Sequence, residues 1–510
     1  MKILFVSVSI ALLLAGAAAQ SSQQGAPGMQ MPSGAKPTIQ MQDMPEHQHG
    51  MHMEIRRPQS TASHVTGVQE PENPDRQTGS STPVPDLLEP AKLAPPMRVS
   101  DFEDLALKNN PTLKQAESLV QVSAGLARQA GLWPNPSVGY LGEEITGGSY
   151  RGGEQGAFVQ QNILLGGKLR LRRAVYEQQR KADEIGVEEQ ELEVRGAVRT
   201  YFYSALAQLR GVAIRRELLS IALDAATTAH QLANVGQADA PDVLQAEVEA
   251  EQTKLELEQA QREYIRFYQR LAAVAGDPQR PLALLEGDLE APPPLDTDRY
   301  LQDLIANSPT LKRAEQEASG ADAELARDKR EAMPDVTVTA GAQQNRELNE
   351  FTGRPVGAQG FASASLRIPI FNRNQGNVAA SRAKVERVQE EVRRIRLQLL
   401  QTAEPLLQQY LTSRLQAERY AQELIPRAQR AYELYLGKYR NMAAAYPQVL
   451  VSQRILFQLK DNYAQVLGQV WTTAVQLQNY LLANGLSAPT PSGNTGTQIN
   501  LPTSNSGGID

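Results

Sequence analysis

The chain has no cysteine in 510 residues. That absence excludes disulfides, thiolate metal centres and a lipid carried on an N-terminal cysteine. Beyond Ala19 no apolar run is long enough to cross a bilayer as a helix, so any membrane crossing has to use strands. Aromatic residues make up only 5% of the chain, while Ala, Gln, Glu, Arg and Leu come in long runs, a composition of extended helices rather than compact domains. The net charge is −6 with no basic cluster, which argues against a nucleic-acid partner. Catalytic constellations are missing too. No nucleophile or acid–base pair stands out, and His230, the one histidine outside the N-terminal segment, falls mid-helix and reads as a surface residue.

Residues 1–19 have the form of a secretory signal: Lys2, an apolar core from Ile3 to Ala15, and small residues Ala17 and Ala19 before Gln20. Residues 20–98 are rich in Pro, Gln, Ser, Gly and Met without aliphatic periodicity, and are expected to be disordered. Within them, Met29 to Met53 holds six of the ten methionines and three of the five histidines. Thioethers suit Cu(I) or Ag(I), and imidazole widens the choice to Cu(II), Zn or Ni. Met41, Met44, His47, His49, Met51, His52 and Met53 are the candidate ligands for transient metal binding; the bland alternative is a low-complexity tail. No resident cofactor is expected.

The remainder is organised by a repeat. Asn109-Asn110-Pro111-Thr112-Leu113-Lys114 returns as Asn307-Ser308-Pro309-Thr310-Leu311-Lys312, 198 residues later. Each copy sets a polar residue at a helix N-cap and proline at the first helical position. The spacing predicts two structural repeats, 99–290 and 291–486, followed by a polar tail, 487–510. Ser100-Asp101-Phe102-Glu103 reads as a capping box. In the first repeat a helix from Pro111 to about Leu132 leads to strands at 137–145 and 157–164, then a proline-free helix from about Gly167 to Val235 and a return helix from about Asp242 to Ala275. The second repeat follows the same order. Its first helix, from Pro309 to about Ala332, leads to strands at 335–342 and 361–368 around a loop at 344–359. A long helix ending near Arg440 and a last helix ending near Ala483 complete it. The offset slips from 198 to 206 mostly within the strand–loop–strand segment, which puts the extra residues in an exposed hairpin loop.

Four strands of nine or ten residues could cross a bilayer but cannot close a barrel, and open edges are not tolerated in lipid. Several copies would have to share one barrel, eight strands from two or twelve from three. The competing reading is an ordinary helical protein with two surface hairpins.

Ala130-Gly131-Leu132-Trp133-Pro134-Asn135-Pro136, Leu165-Gly166-Gly167-Lys168-Leu169-Arg170 and Pro369-Ile370-Phe371-Asn372-Arg373-Asn374-Gln375-Gly376 resemble the TolC-like outer-membrane efflux proteins. They are most similar to the heavy-metal branch that serves cobalt–zinc–cadmium and copper–silver efflux. The resemblance implies a mainly α fold with a small β part. It implies a homotrimer with a 12-stranded barrel in outer-membrane lipid and an α-barrel across the periplasm. A periplasmic adaptor (membrane fusion protein) and an inner-membrane proton-driven pump are the implied partners. It implies an exit duct and no enzyme. The helix breaks become the periplasmic tips, with Val235, Gly236, Gln237, Asp239 and Asp242 in one repeat and Asn441 and Met442 in the other. Asp239 and Asp242 could form a carboxylate ring favouring cations, or Asp242 could simply cap the return helix. Rival readings are a duct for drugs or secreted proteins, a periplasmic adaptor or scaffold, and a metal-scavenging protein.

Overall fold

The computed structural model describes residues 87–88, 93–145, 153–236, 239–296, 299–348, 351–440 and 446–492. A short strand, β1 (Ala94–Met97), precedes helix α1 (Val99–Asn109). β1 falls where a structureless segment was expected. It pairs in parallel with β4 (Ala283–Leu285), and Met97 and Leu285 bury themselves in the first repeat's core. Strands of three or four residues carry too little periodicity to be read from sequence. The cap of α1 also differs from expectation. Arg98 occupies the N-cap, and its N–H donates to Asp101 Oδ2 at 2.8 Å.

Helix α2 (Pro111–Ala130) starts as the sequence predicts. Asn110 Oδ1 accepts from Thr112 N at 2.9 Å, while the Asn110 amide donates to the carbonyls of Val274 and Gly485. Its counterpart α6 (Pro309–Glu331) begins after Ser308, which makes no side-chain cap; its buried hydroxyl has no partner among the described residues.

Two hairpins follow these helices. β2 (Ser137–Glu143) and β3 (Glu154–Ile163) form the first, β5 (Val336–Leu348) and β6 (Pro355–Leu366) the second. They join through β3 and β5 into one antiparallel sheet of order β2-β3-β5-β6. The second hairpin is the longer one. Ser137 pairs with Gln160 but Thr337 with Ser365, so the gap between partners grows from 23 to 28 residues. The extra length lies in the strands. Only six residues separate β5 from β6 against ten between β2 and β3, contrary to the expected insertion between the strands.

After β3 the chain enters α3 (Lys168–Asn234), 67 residues without interruption, about 100 Å at 1.5 Å per residue. Gly167 caps it in the left-handed region at φ 71°, and Asn374 does the same at φ 60° for α7 (Gln375–Arg419). Asn is the side-chain-bearing residue best suited to that conformation. α3 returns as α4 (Ala240–Val274). The second long helix is broken: α7 gives way to a π-helical turn at Tyr420–Leu424 before α8 (Ile425–Arg440). Pro426 explains the break. It has no N–H for the carbonyl four residues back, and the Ile425 N–H reaches instead to Tyr420 O, one residue further than in an α-helix. α9 (Tyr446–Gln478) ends five residues before the expected stop, where Tyr480 and Leu481 take positive φ.

Each repeat has its own core beside its long helix. Phe102, Phe202, Tyr264 and Tyr268 pack between α1, α3 and α4, with Phe102 edge-on to Tyr268 at 6.0 Å. Tyr300 and Leu304 of α5 (Tyr300–Asn307), with Leu311, Ala403, Tyr410 and Ala474, fill the same place in the second repeat. Trp471 bridges the two. It stacks on Tyr203 at 3.7 Å and donates to Leu289 O. The expected tail from Ser487 is, over its first six residues, held against the body: Ser492 N donates to Asp183 Oδ1 and Gln190 donates to Ser487 O.

Candidate functional site

The sheet is inside out. Along β2, β3, β5 and β6 alternate residues face opposite sides. On one side lie Glu154, Gln160, Thr339, Gln343, Asn345 and Gln359, half-buried or better, with the Glu154 carboxylate accepting from Gln343 and Asn345. Phe158 and Phe361 share that side; the other carries Val138, Tyr140, Val159, Val338, Ala362 and Leu366, with Gln155, Gln161 and Gln344 among them. Here the apolar residues are the exposed ones, Val138 at 75% and Tyr140 at 65%. A water-soluble sheet would bury that face and expose the polar one. A strand set with apolar side chains outward and amides inward fits a barrel wall between lipid and an aqueous bore. Among the described residues no helix is long and apolar enough to cross a membrane. β2 and β6 leave one open edge each, which a barrel would have to close.

Where the sheet meets the helices, a buried ion pair locks the repeats together. Lys168 Nζ, 4% exposed at the first turn of α3, lies 2.9 Å from Asp335 Oδ2 and 3.4 Å from Glu331 Oε2. Arg172 adds a second cation on Glu331 at 2.6 Å, and Asp335 also accepts from Leu165 N. Further along, Glu189 takes Arg313 at 3.2 Å and Thr310 at 2.6 Å. This clamp was missed by sequence reasoning, because its partners lie over 120 residues apart. Lys168 beside the Gly166-Gly167 turn was its visible trace.

At the far end, α3 stops at Asn234 and α4 starts at Ala240. Val235 is 68% exposed, and Gly236 turns the chain at φ 74° with open space where a Cβ would point. Asp239 is the N-cap of α4, and its carbonyl accepts from Asp242 N at 3.0 Å and Val243 N at 3.4 Å. Asp242 stands in the first turn, exposed, where its charge favours the positive end of the helix. The cap is thus Asp239 rather than Asp242. Gln237, Asn441 and Met442 lie outside the described residues, as do Met41, Met44, His47, His49, Met51, His52, Met53 and the signal segment. His230 is exposed and meets Glu247 across the hairpin at 2.8 Å. Beside the second tip an apolar groove of about 420 Å³ runs between α8 and α9, lined by Ala431, Tyr435, Val451 and Ile455. Among the described residues no group of His, Asp and Glu is placed to hold a metal ion.

Comparison with known proteins agrees with this geometry. The family described as "Outer membrane efflux protein" matches residues 103–277 and 300–481. The chain is 27% identical over 394 residues to the cobalt-zinc-cadmium resistance protein CzcC of Cupriavidus metallidurans, covering 77% of this chain and 91% of that one. It is 25% identical to the nickel-cobalt-cadmium resistance protein NccC of Alcaligenes xylosoxydans xylosoxydans, covering 60% and 68%. Among solved structures, CusC superposes with a TM-score of 0.62 at 17% identity, covering 75% of this chain and 91% of that one. The outer membrane protein VceC of Vibrio cholerae gives 0.59 at 17%, covering 77% and 97%. At such identities the structural likeness speaks for the fold.

Proposed function

The chain belongs to the outer membrane efflux protein family, and from that premise we propose that it is the exit duct of a tripartite, proton-driven assembly exporting heavy-metal ions. Its strands sit in the outer membrane and its long helices extend into the periplasm. Three copies contribute twelve strands to one barrel, and the helices form a hollow α-barrel. The tips at Val235–Asp242 and around Asn441–Met442 meet a periplasmic adaptor, which links the duct to an inner-membrane pump. The observation that carries this reading is the inside-out sheet with two open edges, which a single chain cannot close. The metal cargo is supported by the likeness to proteins named for cobalt, zinc, cadmium and nickel resistance, and by the Met- and His-rich stretch before the first repeat. In this reading that stretch captures soft or borderline cations transiently; an isothermal titration of the Met29–Met53 peptide showing no Cu(I), Ag(I) or Zn(II) binding would remove it.

The test of cargo is tolerance of a strain lacking the chain. Loss of cobalt, zinc and cadmium tolerance fits the cargo named for the relatives, and loss of copper and silver tolerance fits the Met/His stretch. Sensitivity to drugs or detergents alone would leave the duct and overturn the metal cargo.

A further inference from the structure

Each chain holds one complete joint between a strand turn and the strand beside it, and two halves of another. The complete joint lies in the middle of the sheet. The turn after β3 receives the stretch just before β5. A Cβ on Gly166 would sit 2.5 Å from the Met333 sulfur, Leu165 N donates to Asp335, and Lys168 closes on the same carboxylate. The repeat supplies the same two pieces again. Trp133-Pro134-Asn135 stands before β2 as Met333-Pro334-Asp335 stands before β5. Pro369 to Asn374 follows β6 as Leu164 to Gly167 follows β3, and is longer. These pieces lie at opposite open edges of the sheet, uncovered in their own chain. Trp133 is 58% exposed and Phe371 is 90% exposed.

We propose that the two halves meet between copies, so that Trp133 of one chain packs on the Phe371 turn of the next and latches the seam where the barrel closes. The inference rests on the shared barrel proposed above and adds the register and residues of its seam. Carrying the β3–β5 register over to β6 and the next copy's β2 places Leu366 opposite Val138 and Ala364 opposite Tyr140. All four belong to the apolar, exposed face, so this register continues that face across the seam without a break. A slip of one residue would turn every side chain to the wrong side. The chemistry also suits association. Lys168, Glu331 and Asp335 fold together in one chain, but a seam assembled from separate copies would have to desolvate such charges on meeting. At the corresponding positions this seam carries Gln375, Gly131 and Asn135, with two rings beside them, and aromatic side chains are favoured at the centres of interfaces.

The absence of cysteine makes the test direct. The full-length W133C/F371C variant, treated in outer membranes with a short bis-maleimide, is expected to run as a covalent ladder to the full assembly, with loss of most of the monomer band. W133C alone, F371C alone and the control pair W133C/F351C, whose second site lies at the far end of the barrel, should give none. No ladder while native gels show unchanged assembly overturns the latch and leaves the shared barrel intact. A wild-type chain that is monomeric in membrane extracts overturns both. A second measurement addresses the other surface these rings could face. Tryptophan fluorescence compared between wild type and W133F should show Trp133 shielded from brominated lipid, and strong quenching would assign the ring to the headgroup region instead.

Discussion

The two repeats reach the same outline by different means. α3 runs 67 residues unbroken and starts from a buried ion pair, whereas its counterpart carries Pro405, swells into a π-turn at Tyr420–Leu424 and starts from uncharged Asn374 and Gln375. The first is a rod fixed to its neighbour. The second has a place where the backbone hydrogen-bond register has already shifted by one residue, and such turns bend helices. A duplicated architecture therefore need not be a duplicated mechanics. One half supplies a stiff strut, and the other supplies the element with a built-in irregularity along its length.

Substitutions that erase this asymmetry measure it. The largest effect is expected from Lys168→Ala, which takes the cation from Asp335, leaves Glu331 to Arg172 alone and empties a buried position, a loss of about 3 kcal/mol. Gln375→Ala, at the same position of the second repeat, should cost no more than about 0.5 kcal/mol. Urea unfolding in detergent distinguishes the two, and equal costs would abolish the contrast. Next, Ser220→Pro places proline on the exposed side of α3, near the position matching Pro426, and should cost about 3 kcal/mol because no π-turn is there to absorb it. Thermal unfolding followed by helical circular dichroism reads that loss.

A smaller effect concerns the segment 487–492, which crosses back onto α3. Burial, helped by the nearby Glu189 charge, raises the Glu193 carboxyl above its usual range. Burial first, then the Asp183 and Glu189 charges, does the same to Glu317, against the opposing pull of Arg313. A raised carboxyl contributes stability that is complete below the ordinary carboxylate range and is lost as pH rises through the raised value. Amide exchange in 487–492, corrected for its intrinsic pH dependence, should therefore be slower at about pH 5 than at about pH 7.5. Glu193→Gln with Glu317→Gln should flatten that difference; an unchanged profile would dissociate the segment from these acids. The smallest expected change is that of Pro426→Ala. Restoring an N–H should slow exchange around Tyr420–Leu424 while altering stability by less than about 1 kcal/mol. Unaltered exchange there would mean that packing, not the proline, holds the π-turn.

Much of the fold was legible because its punctuation is strong. Asn110-Pro111 and Ser308-Pro309 announce helix starts, and the alternation in Val336 to Ala342 announces a strand. The ends of strands were not. Glu154-Gln155 and Gln344-Asn345 read as loop because amides and acids look like turn residues on sequence alone, whereas a barrel wall carries them on its inward face, as with Glu154 and Asn345. The π-turn leaves no compositional mark of its own; Pro426 was the available sign, and a proline is equally compatible with a simple kink. At the first tip the break after Val235 was readable, but the return helix was expected from about Asp242 and begins at Ala240, a difference that falls within the usual fraying of helix ends.

One pairing also dictates the order in which the molecule comes into being. Within the first long hairpin, His230 meets Glu247 across 17 residues, whereas Asn345 meets Glu154 across 191. Contacts that close short loops form early, and those that close long ones wait. The helical hairpins can form as each leaves the translocation machinery. The sheet that joins the repeats cannot begin until nearly the whole chain has arrived, and its outer strands then have no neighbour until other chains are present. In the shared barrel proposed above, the membrane-facing part is the last to acquire its shape, and maturation is then limited by encounter among chains and slows as the newly exported protein becomes more dilute.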